Sequence, residues 1–249
     1  MQPRTIYHLL QWNSKLDKSL ILIPTYNEAE NIRDLIDQVL AAAPEAHLLI
    51  VDDNSPDGTG KIAARRAHSD ERVHLLHRPK KEGLAPAYQA GFKWGLSEHY
   101  QYFLQMDADF SHSPVDVLRM LTRLEGNDVV VGCRYIEGGS TSGWSFLRQG
   151  ISRGGNLYAQ KVLRLPFKDL TGGFNAWRRE VIEAIRPDTI QSKGYAFQVE
   201  MKYRACSKGF RLKELPIHFE NRKLGTSKMS GGIVWEAAFR VLQMKLNAT

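Results

Sequence analysis

The chain has 249 residues and is 43% apolar, enough for a sizeable buried core and too much for a disordered chain. Its net charge of +7 is uneven: residues 1–142 carry 15 Lys and Arg against 19 Asp and Glu, residues 143–249 carry 19 against 8. The basic second half calls for an anionic partner such as phosphates, lipid headgroups or nucleic acid, and no apolar run is long enough to span a bilayer.

Residues 1–18 read as a lead-in without the apolar core of a signal peptide, so the expected location is the cytosol or the cytosolic face of a membrane. Residues 19–23 (Ser-Leu-Ile-Leu-Ile) are a short continuous apolar run, the pattern of a buried parallel strand. It stops at Pro24-Thr25-Tyr26-Asn27-Glu28, where Thr25 or Asn27 is expected to cap a helix over 29–42. A second strand over 47–51 closes on Asp52-Asp53-Asn54-Ser55-Pro56-Asp57-Gly58-Thr59, with a helix expected over 59–67. A strand over 73–77 and a helix over 83–96 follow, the latter with Ala85, Ala87, Ala90 and Gly91 as small contacts. Strand–helix alternation at this spacing predicts right-handed βαβ units and a parallel sheet, whose ligands bind at the carboxyl ends of strands.

The next strand, 101–107, ends in Asp107 and Asp109. A period of two sends both carboxylates the same way, and two such groups repel unless a cation sits between them. A hard divalent ion that keeps waters and bridges phosphate oxygens suits them. The alternative is one solvated acid and one helix cap before Pro114. Polar clusters therefore stand at three strand ends: 24–28, 52–57 and 107–111. Tyr26 offers a flat face to a base or ribose, and Glu28 and Asp53 can accept from base N–H groups or sugar hydroxyls. Asp57-Gly58 reads as turn chemistry. Neither a Gly-x-Gly-x-x-Gly nor a P-loop is present, which disfavours a dehydrogenase and excludes a P-loop enzyme.

A strand over 128–131 ends in Gly132-Cys133-Arg134-Tyr135, where Arg134 can meet a diphosphate bidentately or form a surface salt bridge. Cys133 and Cys206 are far apart and read as reduced thiols. Residues 136–145 are expected to be a mobile loop. The stretch 146–165 is helix-like, with Arg148, Ser152 and Gly155 on one face, suited either to an anion or to a solvated face with Gly for close packing. Phe174 and Trp177 fit either a groove or the core, with Trp177 assigned to the core. Helices are expected over 180–185 and 196–208, and an edge strand over 212–219, broken by Pro216. The basic loop 222–228 resembles a phosphate clamp. A last helix over 233–246 has a polar stripe of Glu236, Arg240, Gln243 and Asn247 against a wide apolar remainder. It is expected to dock on the domain, with a membrane interface or a membrane subunit as alternatives.

Pro24-Thr25-Tyr26-Asn27-Glu28, Val51-Asp52-Asp53-Asn54-Ser55-Pro56-Asp57-Gly58-Thr59, Met106-Asp107-Ala108-Asp109 and Arg134-Tyr135 together resemble the inverting GT-A glycosyltransferases of the dolichol-phosphate mannosyltransferase group. Ile151-Ser152-Arg153-Gly154, Asp169-Leu170-Thr171-Gly172-Gly173-Phe174, Ser192-Lys193-Gly194-Tyr195 and Ser227-Lys228 are similar to polyprenol-phosphate mannose synthases in particular. The resemblance covers about residues 19–230. It implies an α/β GT-A domain over 19–230, after a lead-in (1–18) and before a C-terminal amphipathic helix (231–249). It implies GDP-mannose as donor, against Pro24, Tyr26, Glu28, Val51 and Asp53. The diphosphate and a Mg²⁺ or Mn²⁺ ion would sit at Asp107, Ala108 and Asp109, with Arg134, Arg222 and Lys228 as further donor contacts. Ser111 stands where some relatives place a Gln metal ligand, and is a weaker ligand. Asp107, Asp109 and Arg134 would carry the reaction. Arg148, Ser152 and Arg153 are assigned to the phosphate of a polyprenyl (dolichyl) acceptor. Expected partners are a membrane surface and a small anchoring subunit, and not nucleic acid. The alternatives are UDP-glucose as donor, a nucleotidyltransferase, and a non-catalytic basic module binding lipid headgroups or nucleic acid.

Overall fold

The structure is a computed structural model that describes residues 16–221 and 231–246. Arg222, Lys228, the rest of the basic loop and Asn247 lie outside the described residues. Among the described residues, β1 (Ser19–Thr25), β2 (His47–Asp52), β3 (Val73–His77) and β4 (Tyr102–Gln105) alternate with α1 (Ile32–Ala42), α2 (Thr59–Ser69) and α3 (Leu84–Ser97). Then come α4 (Asp116–Thr122), β5 (Val129–Cys133), β6 (Ser140–Ser142), α5 (Phe146–Leu163), β7 (Asn175–Arg178), α6 (Arg179–Ile185), α7 (Gly194–Ser207), β8 (Leu212–Pro216), β9 (His218–Glu220) and α8 (Gly231–Leu246).

Seven strands form one sheet in the order β3-β2-β1-β4-β7-β5-β8. All neighbours are parallel except β7, which runs antiparallel between β4 and β5. The strand β7 escaped the sequence reading because its four residues, Asn-Ala-Trp-Arg, carry neither an apolar run nor alternation. The expected edge strand is β8, which Pro216 ends. Residues 136–145 are not a bare loop: they hold β6, paired in parallel with β9.

The period of two divides the core into two layers. Ile21 and Ile23 face one layer with α1 and α4, while Leu20 and Leu22 face the other with α3, α6 and α7. Helix α3 lies close because its glycines leave no side chain in the way. A Cβ on Gly95 would come within 2.6 Å of Leu20 and 2.5 Å of Phe103. Trp177 is fully buried, as is Phe174 at 1% exposure, so both belong to the core.

Helix α1 begins at Ile32, three residues later than expected, and neither Thr25 nor Asn27 caps it. Thr25 is still in β1 and donates to Asp52 Oδ1 at 3.0 Å. Asn27 takes a left-handed φ of 60°, which turns the chain before the helix. A third apolar cluster joins α5, α7 and α8 through Ala159, Leu163, Val199, Val241 and Met244. Helix α8 thus docks on the domain, yet Phe239, Leu242 and Leu246 on it stay exposed. Of its expected stripe, Arg240 donates to Gln243 Oε1 at 3.1 Å and Glu236 is exposed.

Candidate active site

Beyond β4 the chain runs on as Met106-Asp107-Ala108-Asp109. Met106 and Ala108 are buried in the core at 0% and 4% exposure, so the alternation turns Asp107 and Asp109 to the other side. Both line a cavity of about 420 Å³. Asp109 is buried and its Oδ1 accepts from the Ser111 amide at 3.1 Å. Between them Phe110 sits at a φ of 59°, a region that aromatic residues seldom enter, so the loop carries strain here. His112 supports it from below. Its Nδ1 accepts from the Asp107 amide at 3.2 Å and its ring stacks on Phe174 at 4.8 Å. Burial pushes His112 down to about 4, which keeps that nitrogen an acceptor.

The opposite charge enters through Arg134, Arg148 and their supports. Arg134, at the end of β5, lines the cavity but does not present a free fork. Its Nε and Nη2 meet Asp169 Oδ2 and Oδ1 at 2.6 and 2.7 Å, and Nη2 also reaches Thr171 Oγ1 at 3.0 Å. This is a buried pair, where the sequence suggested a diphosphate clamp or a surface bridge. Burial opposes the Arg134 charge, but Asp169 reverses that and holds the guanidinium above its usual range. Burial likewise opposes the Asp169 charge, and Arg134 keeps the carboxyl below its usual value.

Arg148 and Ser152 stand one turn apart on α5 and both line the cavity. The Arg148 guanidinium lies 4.1 Å from the Trp144 ring centroid and donates to Asn221 Oδ1 at 2.8 Å. Ser152 Oγ and the Tyr135 hydroxyl are 2.6 Å apart. Trp144 Nε1 is a buried donor on the same wall with no partner among the described residues. Gly155 also lines the cavity, as its place on the Arg148 face predicted. Arg153 does not: it projects from α5 and lies 5.8 Å from the Tyr135 ring centroid. A step of one residue along a helix turns the side chain by about 100°, which separates it from Ser152.

The third group, at the ends of β1 and β2, lies apart from this cavity lining. Tyr26 has Lys81 Nζ over its ring at 3.8 Å. Asp53 is buried and engaged by Arg78 Nη1 at 2.5 Å and the Glu82 amide at 3.2 Å. Glu28 Oε2 accepts from Asn31 at 3.1 Å. Asp57 ties the turn together, accepting from the amides of Ala29 and Thr59. The Val51 side chain is fully buried in the core against the α3 layer, and Pro24 is half-buried in β1.

The structure therefore gathers Asp107, Asp109, Ser111, Arg134, Arg148 and Ser152 around one cavity and leaves Arg153 outside it. Ala108 is buried in the core at 4% exposure and does not line the cavity. Sequence reasoning did not assign Asp169, Trp144 or Thr171. The first and last stood in the Asp-Leu-Thr-Gly-Gly-Phe motif, while Trp144 stood in a stretch read as loop.

The donor set suits a hard divalent cation. It offers two carboxylates and the Ser111 hydroxyl, no thiolate, and a histidine whose near nitrogen is committed to the backbone. No group of three or more His, Cys, Asp or Glu among the described residues is placed to enclose a metal.

The sequence profile of Glycosyl transferase family 2 matches residues 20–186. The chain is 44% identical over 228 residues to polyprenol monophosphomannose synthase of Mycolicibacterium smegmatis, covering 91% of this chain and 86% of that protein. It is 46% identical over 229 residues to undecaprenyl-phosphate mannosyltransferase of Micrococcus luteus, covering 92% and 94%. Among solved structures it is similar to glucosyl-3-phosphoglycerate synthase from Mycobacterium tuberculosis in complex with Mn²⁺, UDP and glucosyl-3-phosphoglycerate, with a TM-score of 0.68 at 14% identity over 90% of this chain and 78% of that one. The same protein with Mg²⁺ and UDP gives a TM-score of 0.69 at 14% identity, over 90% and 78%. At such identity the likeness is one of fold.

Proposed function

Because this chain belongs to glycosyl transferase family 2 and has the GT-A arrangement, we propose that it carries mannose from GDP-mannose to the phosphate of a polyprenyl (dolichyl) monophosphate, with inversion at the anomeric carbon. The observation that carries this reading is the lining of one cavity. An acid pair suited to a metal-bound diphosphate shares it with Arg148 and Ser152, suited to a monophosphate. Its wall continues through Ile151, Tyr158, Val199, Ala237 and Val241, suited to a prenyl chain. The names of the two relatives, one a polyprenol and one an undecaprenyl-phosphate enzyme, support the substrate class.

The acceptor phosphate is anionic near neutral pH, so its oxygen attacks the anomeric carbon without a strong general base. The new C–O bond forms as the bond to the GDP diphosphate breaks, and GDP departs. The chain contributes position and charge. Arg148, braced by Trp144 and Asn221, and Ser152, beside Tyr135, hold the acceptor phosphate. Arg134, its fork held by Asp169, keeps this wall of the cavity in place and leaves only the remainder of its charge for the diphosphate. Asp107 and Asp109, with Ser111, would hold a Mg²⁺ or Mn²⁺ ion, which when bound neutralises charge on the departing diphosphate. Pro24, Tyr26, Glu28, Asp53 and the Val51 backbone receive the nucleoside, with Arg222 and Lys228 as further donor contacts.

The prenyl chain needs a bilayer. No helix among the described residues is long and apolar enough to cross one. The exposed Phe239, Leu242 and Leu246 of α8 and Phe146 and Leu147 of α5 give the protein a face for a membrane surface, at its cytosolic side, or for a small anchoring subunit.

Transfer of labelled sugar to polyprenyl phosphate tests this reading, comparing GDP-mannose with UDP-glucose, each with Mg²⁺ and with EDTA. Metal-dependent mannolipid from GDP-mannose alone is expected. Product from UDP-glucose alone would overturn the donor, and donor binding without product from either would point to a binding module or a missing membrane subunit.

A further inference from the structure

Behind the cavity wall lies a lysine that the reaction above does not use. Lys202, on α7, is fully buried. Its Nζ donates to the Leu170 carbonyl at 3.0 Å and to the Gly172 carbonyl at 2.7 Å. Asn175 Nδ2, equally buried, donates to the same Gly172 oxygen at 3.0 Å. A buried ammonium is unfavourable unless it is well held, and burial pushes Lys202 down to about 7 even with Asp169 nearby. Two donors from the core thus fix one carbonyl in a segment that forms the cavity wall.

The peptide bond is planar, and none among the described residues is cis. A carbonyl held inward therefore turns the next amide the other way. Gly172 and Gly173 both line the cavity, so the Gly173 N–H is turned to the cavity side. A Cβ placed on Gly173 would lie 3.8 Å from Asp107 Oδ1, which sets this residue beside Asp107. The ammonium on the carbonyl also polarises the peptide and strengthens the N–H as a donor.

We propose that the Gly173 amide is a contact for a phosphoryl oxygen in the transfer reaction, and that Lys202 is the positioning residue that aims it. This rests on the phosphate-to-phosphate reading given above. The oxygen belongs either to the donor diphosphate or to the acceptor monophosphate, and binding separates the two.

Three variants test it. Lys202→Met removes the ammonium with little change in volume. Gly173→Pro deletes the N–H. Gly173→Ala keeps it, and its Cβ would make only ordinary contacts, at 3.7 Å from Gln198 Nε2 and 3.8 Å from Asp107 Oδ1. With farnesyl phosphate as acceptor, kcat/KM should fall about 100-fold in Gly173→Pro and about 10-fold in Lys202→Met, and clearly less in Gly173→Ala than in Gly173→Pro. Calorimetry with GDP and, separately, with farnesyl phosphate reads the amide without turnover, so it stands even if wild type transfers no mannose. Weakening of about 10-fold for one of the two ligands, with the other unchanged, supports the proposal and names the phosphate. Unchanged binding of both, or equal loss of both together with the thermal midpoint, overturns it, since a merely structural lysine would affect both alike.

Discussion

Arg134 and Asp169 face each other as a closed fork, Nε to Oδ2 at 2.6 Å and Nη2 to Oδ1 at 2.7 Å, with both side chains buried. Thirty-five positions separate them in sequence, yet they join the end of β5 to the loop that leads into β7. Removing one partner leaves the other charge buried and unpaired. Asp169→Ala is therefore expected to cost about 3–5 kcal/mol of folding stability. Urea unfolding checks this, and a loss below about 1 kcal/mol would refute the view that the pair anchors this wall.

Asp109→Asn keeps the shape of the side chain and an oxygen for the Ser111 amide while removing the charge. Transfer should fall by about 10³-fold or more, with the thermal midpoint nearly unchanged. Metal titration alongside GDP should lose its metal-dependent step. Normal turnover in this variant would sink the assignment of the acid pair.

Arg148→Ala and Ser152→Ala remove groups assigned to the acceptor. The acceptor KM is expected to rise by about 10–100-fold for Arg148→Ala and by less for Ser152→Ala, while the KM for GDP-mannose stays within about twofold. Arg153→Ala should change neither by much, because Arg153 stands outside the cavity. The reverse pattern, a donor effect without an acceptor effect, would exchange the two phosphate sites.

At the far end of the sheet, His47 and His74 approach at 3.2 Å, and the Tyr100 hydroxyl lies 2.7 and 3.1 Å from their nitrogens. Burial lowers both imidazoles below 6.5 in the folded state, and for His74 the neighbouring His47 adds to the fall. The unfolded chain therefore binds more protons in the window just below pH 6.5, so stability is lost as pH falls through it and regained as pH rises. Burial of His112, at about 4, extends the same trend to lower pH. Urea midpoints at pH 5 and pH 8 should differ in wild type and differ less in His47→Gln/His74→Gln. An equal pH difference in both proteins would refute this.

The exposed side chains of α8 make a surface prediction. Replacing Phe239, Leu242 and Leu246 with Ser should weaken binding to liposomes containing anionic lipid by about 10-fold or more. Transfer to a short, water-soluble acceptor should remain. Co-sedimentation is the measurement, and undiminished binding would move the membrane face elsewhere.

The amino-acid sequence already contains the parallel sheet and the three polar strand ends, because buried strands need unbroken apolar runs such as Leu-Ile-Leu-Ile, and ligands collect where such runs stop. It also placed Asp107 and Asp109 on one side, since the strand period continues past β4, and it put Arg148 and Ser152 on one helical face. Local periodicity carries that information. It carries none about partners across the fold. Tertiary packing makes Arg134 spend its fork on Asp169 and sets Arg78 against Asp53. It also decided that the short β7 runs antiparallel in the middle of the sheet, bringing the Thr171–Gly173 wall and the buried Lys202 to the back of the acid pair. Those outcomes depend on which elements meet in space, and a charge or a small residue takes its role from what it meets.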